Sequence, residues 1–121
     1  IMSAIKGSVN EQSDEVLTKA LLNAAKEMGL SQKQVGEVIG KGQSSLSRLP
    51  VTPDSKAGEL ALILIRIYRS LFVQIGGDRE QIRHWMATPN RHTHGTPSEQ
   101  IKNITGLMRV ANYLDAIRGK I

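Results

Sequence analysis

Residues 36–50 read GEVIGKGQSSLSRLP and combine glycine breaks, small hydroxyl side chains, one arginine and a closing proline. A helix-turn-helix needs a small residue where its two helices pack, a glycine at the turn and an apolar anchor in the second helix. Gly36, Gly40 and Leu46 supply these three features. Pro50 then ends the second helix, since the residue before a proline disfavours helical geometry. The stretch therefore predicts a helix-turn-helix rather than a loop.

The polar side chains of this unit are suited to contact with DNA. Glutamine and arginine can make bidentate contacts with adenine and guanine edges, respectively, and helix N-termini attract phosphate groups. The residues that we expect to face DNA are Gln32, Lys33, Lys41, Gln43, Ser44, Ser47 and Arg48. The alternative that stays open is a three-helix packing unit whose polar face only meets solvent.

The charge distribution indicates that one such unit is not enough for DNA binding. The chain has 121 residues and a formal net charge of +5, which suits nucleic acid as a partner. Residues 1–58 hold seven basic and six acidic side chains, whereas residues 59–121 hold nine and five. Because a unit with a single recognition arginine binds DNA weakly, we expect a homodimer that places two units on neighbouring half-sites.

Composition favours an all-α fold. Hydrophobic residues make up 40% of the chain but aromatic residues only 3%, and no alternating β-branched run is present. The absence of cysteine excludes disulfides and thiolate zinc sites. Arg66 and Arg69 interrupt the most apolar stretch, and we recognise no signal peptide, so we expect a cytoplasmic protein without a membrane span.

Cap signals predict six or seven helices. The predicted starts are Ser13, Ser31 in a capping box with Gln34, Gln43, Thr52 followed by Pro53 and Asp54, Asp78, Thr96 in a capping box with Glu99, and about Thr105. The predicted stops include Gly29, Gly40, Pro50, Gly76 with Gly77, and Thr88 with Pro89 and Asn90. We predict three segments: a flexible N-terminal arm over residues 1–12, the helix-turn-helix over 13–52 and a small helical domain over 53–121.

The helix that starts near Thr52 and ends near Ile75 has apolar residues on two faces. One face holds Leu60, Leu64, Ile67 and Leu71, and the other Ala61, Ile65, Tyr68, Phe72 and Ile75. Such a helix is covered on most sides, either by its own chain or by a second subunit. It is therefore one candidate for the dimer contact. The first helix is expected to bury Val16, Ala20, Leu21, Ala24, Ala25 and Met28, and the last helix Leu107, Val110, Ala111, Leu114 and Ile117.

The back half of the chain resembles a known family of antitoxins. The features that carry the resemblance are Trp85, the turn Thr88–Pro89–Asn90, Gly95 with Pro97, Gly106 with Leu107, and Leu114. Their order is similar to that of the toxin-binding domain of Xre/MbcA/ParS antitoxins over about residues 60–120. The front helix-turn-helix resembles the Xre-type domain that precedes it in this family. The loop with His92, Thr93 and His94 departs from the pattern, because relatives commonly carry a leucine there.

The resemblance implies an antitoxin that covers its toxin's active-site entrance with the C-terminal domain and represses its own operon with the N-terminal one. It also implies a cognate toxin of the NAD-degrading RES type or of a related ADP-ribosyltransferase-like type. Basic residues at the C-terminal end suit a site that holds dinucleotide phosphates. The expected toxin-binding residues are Arg109, Asn112, Tyr113, Arg118, Gly119 and Lys120.

Other function classes have less support. His84, His92 and His94 lack a cysteine or a paired carboxylate nearby, so we expect no metal site. No spacing supplies a nucleophile or an acid–base pair held by a third group, so we expect neither catalysis nor a cofactor. Two alternatives stay open: a stand-alone helix-turn-helix repressor without a toxin, and a helical interaction scaffold that does not bind DNA.

Overall fold

The computed structural model describes residues 2–41 and 51–119, with side-chain surroundings from residue 12 onward. Within these ranges the chain forms six helices: α1 (Met2–Glu27), α2 (Gln32–Ile39), α3 (Lys56–Ile75), α4 (Arg79–Ala87), α5 (Pro97–Gln100) and α6 (Ile104–Gly119). An isolated antiparallel bridge joins Asn90 to Gly95. The predicted all-α fold class is confirmed.

Helix α1 starts earlier than predicted. It runs from Met2 and so includes residues 2–12 of the segment 1–12 that the sequence predicts as a flexible arm. The predicted start at Ser13 is wrong because no proline or other strong break separates this serine from the preceding turns, and polar residues are compatible with a helix. The helix ends as predicted at Gly29, whose φ of 77° is the left-handed geometry that glycine adopts without strain.

Helix α2 has the predicted capping box. The Ser31 hydroxyl accepts a hydrogen bond from the Gln34 N–H at 3.1 Å, and the Gln34 side chain accepts one from the Ser31 N–H at 2.8 Å. The helix ends at Gly40 in a left-handed conformation, with its N–H bonded to the Gly36 carbonyl. The predicted second helix of the helix-turn-helix, which starts at Gln43, lies outside the described residues.

Helix α3 starts three residues later than predicted. Its N-cap is Ser55, whose hydroxyl accepts from the Gly58 N–H at 3.0 Å, and not Thr52. Thr52 instead opens a turn, because the Ser55 N–H donates to the Thr52 carbonyl at 3.2 Å. Gly58 lies against this turn, and a Cβ on it would overlap the Thr52 carbonyl and come within 2.9 Å of Pro53.

Helix α3 is the centre of the molecule and contacts α1, α2, α4 and α6. Both of its predicted apolar faces contribute to a single hydrophobic core, although Phe72 remains 48% exposed. The largest fully buried side chains of that core are Leu21, Met28, Val35, Val51, Leu64, Ile67, Leu71, Ile82, Met86, Ile101, Leu107 and Leu114. The prediction for Val16 is wrong: this side chain is 68% exposed, and its neighbour Leu17 is buried in its place.

The helix caps of the back half agree with the predictions from the sequence, with one exception. Gly76 ends α3 in a left-handed conformation, and Asp78 caps α4 by accepting from the N–H groups of Glu80 and Gln81. Thr96 is the N-cap of α5 and Pro97 follows it, but the Thr96 side chain makes no capping hydrogen bond, so the predicted capping box is absent. None of the helices described here is long and apolar enough to cross a membrane.

Candidate functional site

The first candidate site is the exposed start of α2. Gln32 and Lys33 are both exposed there, as the DNA-binding prediction requires. The capping box occupies the N–H of Gln34, whereas those of Gln32 and Lys33 donate to no atom of the described residues. Because a helix N-terminus carries a partial positive charge, these two free N–H groups and the Lys33 ammonium can bind one phosphate.

The other predicted DNA contacts are at the far end of α2 or beyond it. Lys41 follows the Gly40 turn, so the length of α2, about 12 Å, separates it from Gln32 and Lys33. Its N–H donates to the Gly36 carbonyl at 2.8 Å, and the residue is half-buried. The remaining predictions, Gln43, Ser44, Ser47 and Arg48, lie outside the described residues.

Two arginines of α4 hold the end of α1 next to this site. Arg83 donates to the Lys26 carbonyl at 2.7 Å, and its side chain lies 3.1 Å from the position of a Cβ on Gly29. Arg79 donates two hydrogen bonds to the Glu27 carboxylate, at 2.7 and 2.8 Å. These hydrogen bonds lower the pKa of Glu27 and raise that of Arg79. The cations also complement the negative end of the α1 dipole.

Sequence reasoning missed Arg83 as a neighbour of this candidate site. A groove of about 630 Å³ separates the end of α1 from the start of α2, and Arg83, Lys26 and Gln32 all line it. The groove places an arginine of the back half beside the α2 N-terminus. No pattern in the sequence could have indicated this, because 49 residues separate Arg83 from Gln34, the last α2 residue of the capping box.

The second candidate site is the outward face of α6. Arg109 and Asn112 are exposed on this face, and Gly119 is exposed at its end. Tyr113 is half-buried at one edge, and its ring stacks on His92 with a centroid distance of 5.5 Å and an interplanar angle of 6°. Arg118 lies about 140° around the helix from Tyr113, at the opposite edge. Lys120 is outside the described residues.

The structure thus brings only part of the predicted toxin-binding set together. Arg109, Asn112 and Tyr113 share one side of α6, and His92 joins them from the preceding loop. Arg118 instead faces α3, where it lines grooves with Arg69. Asp115, which could have paired with Arg118 one turn later, instead forms an ion pair with Arg66 at 3.4 Å.

The loop over residues 90–95 holds His92 against Tyr113. The Asn90 side chain accepts from the N–H of His92 at 2.8 Å and from that of Thr93 at 3.4 Å. Thr93 is fully buried, and its hydroxyl donates to the Gly95 carbonyl at 3.2 Å. Thr93 therefore supplies the buried side chain of this loop. His92 is left exposed to stack on α6.

Helix α6 is fixed at its start by a close backbone contact. The Asn103 side chain accepts from the Gly106 N–H at 2.9 Å and caps the helix. A Cβ on Gly106 would overlap the carbonyl of Gln100 at the end of α5. The glycine–leucine pair at the start of the last helix therefore has a physical reason. Gly106 has no side chain, so the end of α5 can lie against it, and Leu107 is buried in the core.

No group of three or more histidine, cysteine or acidic side chains that could hold a metal ion occurs among the described residues. His84 is near the Thr88 hydroxyl, with ring nitrogens at 3.5 Å, and His92 stacks on Tyr113. The chemistry that the two candidate sites offer is recognition: charge, hydrogen-bond donors and one aromatic stack.

Comparison with known protein families assigns a domain to each half of the chain. Residues 11–66 match the antitoxin Xre-like helix-turn-helix domain. Residues 69–120 match the antitoxin Xre/MbcA/ParS C-terminal toxin-binding domain. A comparison with curated proteins gives no match. The order of a helix-turn-helix domain and a second helical domain is as predicted, while the predicted boundary at residues 52 and 53 stays a prediction.

Proposed function

Since the domain matches over residues 11–66 and 69–120 support membership of the Xre/MbcA/ParS antitoxin family, we propose that this protein is the antitoxin of a type II toxin–antitoxin pair. In this proposal it neutralises its toxin by covering the active site and represses its own operon by binding DNA. The observation that carries the proposal is that both recognition surfaces, the start of α2 and the outward face of α6, are exposed on one continuous core.

The DNA-binding half acts through phosphate positioning and base contacts. The α2 N-terminus with Gln32 and Lys33 binds a backbone phosphate. Arg83 lines the adjoining groove, so its positive charge also attracts this phosphate. Base contacts come from the polar residues of the predicted second helix, of which Arg48 reads a guanine. A homodimer places two such units on an operator with two half-sites. The partner DNA is the promoter of the antitoxin's own operon, and the protein acts in the cytoplasm.

The toxin-binding half acts through α6. Arg109, Asn112 and Tyr113 present a cation, an amide and an aromatic ring on one side of the helix, which is a combination typical of interface anchors. The C-terminal end, with Arg118, Gly119 and Lys120, enters or covers the toxin's active site. The basic end suits a toxin that binds the phosphates of NAD, as RES-type and ADP-ribosyltransferase-like toxins do. The antitoxin itself performs no catalysis.

A binding experiment tests the DNA half. The full chain is titrated against its own promoter DNA at several salt concentrations, as wild type, Arg48→Ala and Lys33→Ala. Arg48→Ala should cost roughly 1 to 3 kcal/mol of specific binding, and Lys33→Ala should weaken binding to all sequences and lower the salt slope by about 1. Arg109→Ala is the control and should bind as wild type. Equal binding by wild type and Arg48→Ala would contradict the DNA assignment.

A growth experiment tests the toxin half. The protein is co-expressed with the product of the neighbouring gene in cells that this product alone kills. Wild type should restore growth, whereas Arg109→Ala with Tyr113→Ala, or deletion of residues 118–121, should not. Lys33→Ala is the control and should still protect. Full protection by both α6 variants would show that neutralisation does not use α6, and the absence of any toxic neighbour would favour a stand-alone repressor.

A further inference from the structure

A groove that runs between α1 and α3 shares only Arg118 with the two sites described above. It holds about 670 Å³ and continues past Arg69 and Arg118 into a second depression of about 520 Å³. We call the whole feature the arginine groove. Its lining includes the apolar side chains Val16, Leu17, Leu62, Ile65, Phe72 and Val73 and the basic side chains Arg66, Arg69 and Arg118.

The arginine groove exposes apolar surface that the fold leaves uncovered. Val16 is 68% exposed, Leu62 49% and Val73 69%. Leu62 and Val73 lie on the outer side of α3 together with Arg66 and Arg69, at intervals of four, three and four residues. Because such intervals follow one side of a helix, the exposed stripe extends over about 16 Å, or three helical turns. Exposed apolar side chains gathered with charged ones on one side of a helix are typical of a protein interaction site.

The charge of the groove determines which partner it fits. Arg66 already binds one carboxylate, that of Asp115 at 3.4 Å. Arg69 and Arg118 form no ion pair with any side chain described in the structure. The nearest acid on the outer side of α3, Glu59, faces Lys56 at 3.7 Å. The groove therefore offers two guanidinium groups, on a partly apolar surface, to carboxylates from outside.

We infer that the arginine groove binds an acidic amphipathic helix of another protein chain. The apolar side of such a helix would cover Val16, Leu62 and Val73, and its glutamates or aspartates would pair with Arg69 and Arg118. An open groove between two helices, with anchors spaced over three turns, is the geometry of helix-in-groove recognition. Arginine suits this role because its guanidinium binds a carboxylate with two parallel hydrogen bonds.

A second copy of this chain fits the groove less well. A twofold contact places the same surface of both subunits together, so two basic surfaces, each with Arg66, Arg69 and Arg118, would share one interface. Like charges that face each other across an interface disfavour association. The homodimer proposed for DNA binding therefore uses a different surface from the exposed stripe of α3. The inference does not depend on the proposed function, since it rests on this groove alone.

A peptide-binding experiment tests the inference on the full chain. The probe is a dye-labelled helical peptide of about five turns with leucine on one face and glutamate on both flanks, and its matched control has lysine at every glutamate position. Fluorescence anisotropy should show binding of the acidic peptide and none of the basic one. Arg69→Glu and Arg118→Glu should each weaken binding at least about tenfold. Arg91→Glu, an exposed arginine outside the groove, makes the same charge change and should weaken it less than about twofold.

Two further readouts separate a groove contact from other causes. Leu62→Glu should abolish binding of the acidic peptide while circular dichroism shows an unchanged helix content. Light scattering should give the same oligomer mass for wild type and Leu62→Glu. A lower oligomer mass for Leu62→Glu than for wild type would show that a second copy occupies the groove and would overturn the inference. It would also be overturned if the acidic peptide failed to bind, or if Arg69→Glu bound it as wild type does.

Discussion

At the scale of single residues, two backbone contacts determine where helices start in this fold. Gly58 at the start of α3 and Gly106 at the start of α6 each face a carbonyl oxygen, of Thr52 and Gln100 respectively, that leaves no room for a Cβ. Both glycines are buried, so the atoms around them cannot move away into solvent. The identity of these residues is therefore set by close approach and not by φ, which is helical at both positions.

Replacing Gly106 with alanine tests this contact. The added methyl would push α5 away from α6, and overpacking of this kind costs roughly 1 to 3 kcal/mol. We expect Gly106→Ala to lower the free energy of unfolding by that amount in urea denaturation. Gly119→Ala is the matched control in the same helix, because no atom lies within 4 Å of its added Cβ. If the two variants were equally stable, the contact with Gln100 would not limit the choice of residue.

The ion pair between Glu27 and Arg79 makes a pH-dependent contribution to stability. Hydrogen bonds from Arg79 hold the pKa of Glu27 below its ordinary value of 4.5. A carboxyl whose pKa is lower in the folded state contributes stability above its ordinary pKa and loses it as the pH falls through the folded value. The Tm difference between wild type and Glu27→Gln should therefore be positive near neutral pH and disappear in acid.

Thermal melts between about pH 7 and pH 3 check this expectation. Glu15→Gln changes an exposed glutamate of the same helix and is the control, with a Tm close to that of wild type at every pH. A Tm difference for Glu27→Gln that stayed constant over this range would show that the lost carboxylate acts through something other than its charge.

At the scale of helices, the sequence predicted those ends that depend on local chemistry. The Ser31–Gln34 capping box, the Gly40 and Gly76 stops and the Asp78 cap were all found as predicted, since each depends on residues within four positions. The prediction of Thr52 as the cap of α3 was wrong because the Ser55 hydroxyl accepts the hydrogen bond from the Gly58 N–H instead. Gly58 also lies against the turn that Thr52 opens. Exposure of Val16 could not be predicted, because it depends on how α1 crosses α3.

The two capping boxes of the sequence differ in the structure, and this difference can be measured. Ser31 accepts a hydrogen bond from the Gln34 N–H, whereas the Thr96 side chain caps nothing. Ser31→Ala should destabilise the protein by roughly 0.5 to 2 kcal/mol, and Thr96→Ala should cost much less. Denaturant titrations of both variants give the two values. Equal losses would mean that Thr96 caps α5 in solution as its sequence pattern suggests.

The candidate sites were only partly predictable, because some of their contacts join residues that are far apart in the sequence. Residues on one helix face, such as Arg109 and Asn112, follow from periodicity and are exposed as expected. The family pattern pointed to the loop before α5, but only the structure shows His92 stacked on Tyr113. Arg83 lines the groove beside the α2 N-terminus because α4 packs on α1, a contact between distant residues that no local pattern encodes.

At the scale of the whole molecule, the two halves are joined by a continuous core and by polar contacts. Lys102 of the back half lies 3.5 Å from Glu37 of α2 and 2.9 Å from Glu99, and its pKa is raised mainly by the hydrogen bond to Glu99. Arg79 and Arg83 make the second connection, to the end of α1. The two candidate surfaces, the start of α2 and the outward face of α6, are thus parts of one packed unit.

One packed unit should unfold in one step. Trp85, the single tryptophan, is half-buried against the core in α4, so its fluorescence reports on the back half. Val35 is fully buried in α2, and its truncation to alanine should cost roughly 1 to 3 kcal/mol. We expect Val35→Ala to shift the fluorescence and circular dichroism transitions in denaturant together. A fluorescence transition unchanged by Val35→Ala would show that the back half unfolds independently.

The position of α3 also limits how this protein can change partners in evolution. The two matched domains meet between residues 66 and 69, inside a single helix whose sides are packed against both halves. A recombination event at this junction would join one lineage's α1 and α2 to half of another's central helix, and the mismatched core would be poorly packed. We therefore expect new binding specificities of the two candidate surfaces to arise by substitution of exposed side chains and not by exchange of domains.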